Sequence, residues 1–110
     1  DGYDEISLTS GFKLFTRNDE QIINPEDLGQ KRLQQSDIFG GNSVAEAANI
    51  FKTILNGKGS EAQNNVVLTN AAFALTIVDE NKSYENAFEE AKESLFGQKA
   101  KETLQKLVSL

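Results

Sequence analysis

Short alternating stretches followed by helical periodicity predict a chain of mixed class. It is either α+β or a portion of a larger α/β sheet, because strands followed by helices look alike in both cases. Three observations carry this. Residues 5–24 alternate in hydropathy and are broken by Gly11 and by Asn18-Asp19-Glu20, as short strands and a hairpin would be. The rest of the chain repeats apolar residues at spacings of three and four, with Ser43, Ser60 and Ser83 placed as helix caps. The densest apolar run, NNVVLTNAAFALTIV from Asn64 to Val78, is too long for an ordinary strand and too short to span a membrane.

Taken in order, EISLTS at 5–10 alternates as a short strand with Ile6 and Leu8 on one face, and Gly11 ends it. FKLFTR at 12–17 sets Phe12, Leu14 and Thr16 against Lys13, Phe15 and Arg17. After the turn-forming Asn18-Asp19-Glu20, QIIN at 21–24 is the return strand of a hairpin. Asn24-Pro25-Glu26-Asp27 combines a cap, a proline at the first helical position and acids at the positive helix end. Gly29 limits that helix to one turn. From Gln30 to Phe39 the chain is polar, an extended or loosely helical connector anchored by Leu33, Ile38 and Phe39.

Gly40-Gly41 marks a turn, and Ser43 with Glu46 has capping-box spacing for a helix from Val44 to Asn56. Its apolar face is Val44, Ala47, Ala48, Phe51, Ile54 and Leu55, and Gly57 stops it. Ser60 and Gln63 repeat the box and start a central helix near Glu61. Being apolar nearly all round, that helix is expected to be wrapped by the other helices and a small sheet. Ser83 caps a helix from Tyr84 to Phe96 that buries Ala87, Phe88, Ala91 and Leu95, and Gly97 closes it. A last helix over 98–108 buries Ala100, Leu104, Leu107 and Val108. One domain is predicted, with a strand and hairpin region at 1–24, a connector at 25–43 and helices at 44–110.

Composition narrows the chemistry. A net charge of −6 disfavours nucleic acid and anionic membrane surfaces as partners, and Lys and Arg form no cluster. Without Cys there is no thiolate nucleophile, disulfide or cysteine zinc site. Without His the commonest general base and metal ligand are missing, and neither a Ser–His–Asp nor a Cys–His arrangement can form. A metal would therefore be a hard cation on carboxylates, Mg²⁺ or Ca²⁺ before zinc. No signal peptide or membrane-spanning run is seen, so a cytoplasmic location is expected. Met is absent, also at position 1, and the chain opens abruptly on DGYDEISLTS. A piece of a longer protein is expected; removal of an initiator or tag is the simpler alternative.

Asp4 and Glu5 are the candidate metal ligands. Adjacent carboxylates at a strand entrance or in a turn can diverge around one or two hard cations. Such a pair suits Mg²⁺, whose shell is completed by phosphate and water, better than Ca²⁺ with its six to eight oxygens. Ordinary solvated acids are the plain alternative. Gly57-Lys58-Gly59-Ser60 lacks the spacing of a phosphate loop and reads as a helix stop and a linker. Gly40-Gly41-Asn42-Ser43 could offer backbone N–H groups to an anion but reads more simply as a turn. Asn70, inside the apolar run, needs a hydrogen-bond partner and is expected to hold a neighbouring loop or helix end. Glu85, Glu89, Glu90 and Glu93, mixed with Lys92 and Lys99, form a solvated helix face.

Several segments together resemble one family. DGYDEISLTS is similar to the DGxDEhS segment of anthranilate phosphoribosyltransferases. NPEDLG, GGNSVAEAANIFKTILNGKG, NNVVLTNAAFAL and SYENAFEEAKESLFGQKAKETLQKLV follow in the family's order, so the resemblance covers essentially the whole chain. It implies the α/β alternative: the C-terminal portion of the phosphoribosyltransferase α/β domain, of the nucleoside-phosphorylase-like fold. It further implies transfer of phosphoribose from phosphoribosyl pyrophosphate to anthranilate in tryptophan biosynthesis, with Mg²⁺ as cofactor and Asp4 and Glu5 as its ligands. The family's glycine-rich phosphate loop (GTGGD), its Asn-x-Ser-Thr segment and its anthranilate-facing residues are not in this chain. Nor is the helical N-terminal domain through which the family forms homodimers. The parent is thus expected to be an enzyme and these residues alone to be inactive. The alternative from a different class is a complete small acidic binding or scaffolding domain, which would need a closed core and no exposed apolar face.

Overall fold

A computed structural model describes residues 1–110 as two compact units, 1–39 and 40–110. In the first unit β1 (Phe12–Phe15) and β2 (Glu20–Ile23) form an antiparallel pair, with Phe12 opposite Ile23 and Phe15 opposite Glu20. β1 is shorter than the alternation suggested because the turn begins early, Thr16 N donating to Asp19 O at 2.8 Å, and β2 starts one residue earlier than expected. The alternation itself holds in β1, where Phe12 and Leu14 are half-buried and Lys13 and Phe15 exposed.

A single 3₁₀ turn follows at Pro25–Leu28, and Gly29 ends it in the left-handed region at φ 72°. Pro25 is fully buried at the first helical position, and Asp27 Oδ2 accepts from Asn24 N at 2.8 Å. The connector contains a second such turn, Gln35–Ile38.

Residues 5–10 form no strand. Leu8 lies at φ 63°, in the left-handed region, where a pleated ladder cannot continue. Leu8 is buried, but so is its neighbour Ser7, while Ile6 is only half-buried, so burial here does not alternate as along a strand.

The second unit is helical: α1 (Val44–Leu55), α2 (Glu61–Val78), α3 (Tyr84–Phe96) and α4 (Lys99–Val108). Ser43, Ser60 and Ser83 each accept a backbone N–H three residues on, from Glu46, Gln63 and Asn86. Only Ser60–Gln63 closes as a full box; Glu46 instead accepts from Asn42 N. α1 ends in a Schellman arrangement, with Gly57 N on Ile54 O, Lys58 N on Thr53 O and Gly57 at φ 74°. At the end of α3, Gly97 keeps φ −79°, and it is Gln98 that takes the left-handed conformation, at φ 63°.

The core is small. Leu68 of α2 and Ala91 and Leu95 of α3 are buried together, with Ile54, Ala71, Leu75 and Phe88 packed against them. Ala72 and Ala87 are completely buried, small residues that let α2 and α3 approach closely. Phe73 and Phe88 both stack on Tyr84, at centroid distances of 4.9 and 5.9 Å.

α2 is not wrapped as its composition suggested. Val67, Ile77 and Val78 are exposed, Val78 to 86%. The expected apolar face of α1 is no more than half-buried, and Leu107 and Val108 of α4 stay exposed. An open apolar groove of about 480 Å³ runs along Phe51, Ile54, Val67, Leu75, Leu95 and Ala100. Phe15 and Ile22 of the hairpin are also exposed. These bare faces are what the enzyme-portion reading expects. They contradict the closed core that the self-contained binding domain would need.

Candidate acidic metal site

The site lies in the first unit, in a loop built around one carboxylate. Asp1 Oδ1 accepts from Tyr3 N at 3.2 Å. Asp1 Oδ2 accepts from Thr9 Oγ1 at 2.9 Å and from Ser7 Oγ. The two hydroxyl oxygens are 2.8 Å apart, and Thr9 N donates to Ser7 Oγ at 3.1 Å. Ser7 is 5% exposed. The returning limb is fixed again at Leu8, whose carbonyl accepts from Leu33 N at 2.9 Å. A buried leucine at positive φ costs about 1–2 kcal/mol, so the surrounding contacts must impose it.

Asp4 and Glu5 occupy the bend of this loop, both exposed. Neither carboxylate takes a hydrogen bond or an ion pair from the chain, in contrast to Asp1. They border a shallow polar hollow of about 310 Å³ together with Asp1, Tyr3, Ser7 and Lys13. Lys13, on β1, also reaches Glu20 at 3.8 Å.

No point in the structure gathers three or more Asp, Glu, His or Cys side chains. Of the three carboxylates on the hollow, Asp4 and Glu5 are the two that take no hydrogen bond from the chain. That set falls short of the oxygen cage of Ca²⁺ but fits Mg²⁺, which keeps several waters and takes one or two carboxylates plus substrate phosphates. The pair is placed by a bend rather than by a strand mouth, which lets adjacent side chains avoid the opposite directions that extended backbone would impose.

The other motifs resolve into structure. Gly57-Lys58-Gly59-Ser60 is the helix stop and cap between α1 and α2. Asn70 Nδ2 donates to Val66 O at 2.8 Å, one turn back in its own helix. Glu85, Glu89, Glu90 and Glu93 are solvated, with Glu90 paired to Lys82, which stands ahead of α3. Hydrogen bonding to Glu90 raises the Lys82 pKa. The residues missed from sequence are Asp1, Ser7 and Thr9. Their signal was present: Ser7 and Thr9 are two hydroxyls at i and i+2, flanked by apolar Ile6 and Leu8.

Residues 1–101 match the glycosyl transferase family, a/b domain. The chain belongs to this family. Within the glycosyl transferase family it is similar to proteins named anthranilate phosphoribosyltransferase. The relative from Bacteroides fragilis is 48% identical and that from Flavobacterium johnsoniae 52%, each over 100% of this chain and 33% of the relative. One from Cytophaga hutchinsonii is 40% identical over 98% of this chain and 33% of its own length. The chain thus spans about a third of the curated relatives it matches. The family model's match includes the Asp4–Glu5 bend.

Proposed function

We propose that this chain supplies the metal-binding acidic pair of an anthranilate phosphoribosyltransferase. The parent protein transfers phosphoribose from phosphoribosyl pyrophosphate to anthranilate in tryptophan biosynthesis. The observation that carries the reading is the open Asp4–Glu5 pair in a chain whose relatives at 40–52% identity bear that name.

In the reaction the anthranilate nitrogen bonds to the ribose carbon as the bond from that carbon to pyrophosphate breaks, leaving the electron pair on pyrophosphate. Asp4 and Glu5 would hold Mg²⁺ against the departing pyrophosphate, where its charge stabilises the leaving group. The loop around Asp1 keeps both acids on the rim of the hollow, and Lys13 adds a positive charge to that rim. The phosphate loop and the anthranilate pocket belong to the portion of the parent outside these residues, so this third alone does not catalyse. The exposed faces of β2, α1 and α2 pack on that portion. The parent is a homodimer through its helical domain and works in the cytoplasm; no helix here is long and apolar enough to cross a membrane.

The test is Asp4→Asn with Glu5→Gln in the full-length protein, assayed for anthranilate-dependent consumption of phosphoribosyl pyrophosphate. Turnover falls at least a hundredfold, roughly the scale of removing one electrostatic contact to a leaving group. Unchanged turnover would falsify the metal assignment.

A further inference from the structure

We propose that Asp1, Ser7 and Thr9 are positioning residues for the Asp4–Glu5 pair, acting as a brace that sets the metal affinity of the bend. The proposal rests on the metal reading above and extends it to residues that do not touch the metal.

The geometry is that of a closed loop. Asp1 stands on one limb and Ser7 and Thr9 on the other, and a single oxygen, Asp1 Oδ2, accepts from both hydroxyls. Asp1 Oδ1 meanwhile holds the backbone of Tyr3, the residue before the acidic pair. Asp4 and Glu5 lie between these anchors and have no partners of their own. The direction of their carboxylates is therefore set by the backbone of the bend, and the Asp1 bonds close the loop that carries it. Just beyond Ser7, Leu8 is held at φ 63° with no exposure, and its carbonyl is bonded to Leu33 N. The returning limb is thus pinned on the side away from the acids, so strain in the loop is not relieved by sliding that limb. A conformation imposed on a bulky residue beside a candidate site is the usual mark of a pre-organised site. Without the brace, two adjacent carboxylates would repel and spread, and the ordering cost would fall on metal binding.

Asp1 is not itself a ligand in this scheme. Its oxygens are taken up by Tyr3, Ser7 and Thr9, whereas those of Asp4 and Glu5 are free. Orienting partners of this kind typically change metal affinity by about 10- to 100-fold when removed.

The experiment uses the full-length protein with Mn²⁺ as the probe, its free concentration read by electron paramagnetic resonance in the presence of pyrophosphate. Thr9→Val keeps the shape and removes one donor to Asp1; Thr9→Ser restores it. Asp1→Asn leaves the loop length intact and removes the shared charged acceptor. We expect Thr9→Val and Asp1→Asn to weaken Mn²⁺ about tenfold, Thr9→Ser to bind like the native protein, and the unfolding midpoint of Thr9→Val to stay close to native. Ser7 is too buried to serve as the main test. If Asp4→Asn weakens Mn²⁺ but Thr9→Val and Asp1→Asn do not, the brace is overturned and the metal reading stands. If Asp4→Asn and Glu5→Gln leave Mn²⁺ affinity unchanged, the metal reading fails and the brace fails with it. Equal loss of stability in Thr9→Val and Thr9→Ser, with affinity unchanged, overturns the positioning role in favour of a purely structural one.

Discussion

Gln98 donates from Nε2 to the carbonyl oxygen of Asn56, 3.2 Å away and 42 residues back in the chain. The bond ties the end of α1 to the junction of α3 and α4. It is made by a residue that itself sits at φ 63°, a conformation that favours glycine. Two effects therefore oppose each other at one position. Gln98→Ala loses the bond and keeps the strained backbone, so it should cost about 1 kcal/mol. Gln98→Gly also loses the bond but relieves strain of about 1 kcal/mol, so it should be close to neutral. Urea unfolding of the two variants checks the order; an alanine variant as stable as the glycine one would mean that the left-handed backbone at position 98 stores no strain, and a native protein no more stable than the alanine variant would mean that the bond contributes nothing.

Gly40 and Gly41 are adjacent in sequence but constrained differently. Gly41 lies at φ 89°, and a Cβ there would sit 2.7 Å from Glu46 Cβ, while a Cβ on Gly40 meets nothing within 4 Å. Gly40→Ala should be neutral or stabilise by up to about 1 kcal/mol by restricting the unfolded chain. Gly41→Ala should destabilise by about 1–3 kcal/mol and loosen the start of α1, where Glu46 also caps Asn42 N. Thermal unfolding of the pair separates them, and equal midpoints would contradict the turn geometry.

Arg32 makes a two-pronged contact with Glu26, Nε to Oε1 at 3.0 Å and Nη2 to Oε2 at 3.1 Å. This hydrogen bonding lowers the Glu26 pKa below its ordinary 4.5. A carboxyl depressed on folding adds stability that is fully present above the unfolded value. That stability is lost as pH falls through the folded value. Arg32→Gln should therefore move the Glu26 titration upward, as read by carboxyl NMR. Native and variant stabilities should converge once the pH is well below 4.5. Both partners are exposed, so the difference at neutral pH should be small. A Glu26 titration unmoved by the substitution would show that the contact is absent in solution.

What was legible in the sequence followed from local rules. Ser60 with Gln63, Ser83 and the Asn24-Pro25 start each fix a helix end through bonds within four residues, and the structure contains all of them. The α3 face of Ala87, Ala91 and Leu95 was readable because its spacing alone selects one side. What failed depended on distant partners. EISLTS alternates like a strand, yet no neighbouring strand is present to pair with it, and the Asp1 carboxylate bends it into a loop. Asp4 and Glu5 stand out in the sequence as an adjacent acidic pair, whereas the bonds that close the loop around them join Asp1 to residues six and eight positions on, a spacing that neither a helix nor a strand period marks. The composition of α2 suggested a wrapped helix, yet Val67, Ala74, Ile77 and Val78 are exposed in these residues.

That surface yields the last prediction. Ile77 and Val78 at the end of α2 are exposed to 70% and 86%. In the chain alone, replacing both by Lys removes no packing, so its stability should change by less than about 1 kcal/mol, and its binding of a hydrophobic dye should fall. In the full-length protein, where these faces are proposed to be covered, the same change would bury charge without a partner. It should then cost about 3 kcal/mol or more. Urea unfolding of the two lengths side by side gives the comparison. A large loss only in the longer protein places the remainder of the polypeptide over α2. Equal and small effects would leave this face in solvent there too, and the other two thirds would have to pack on the hairpin and α1 instead.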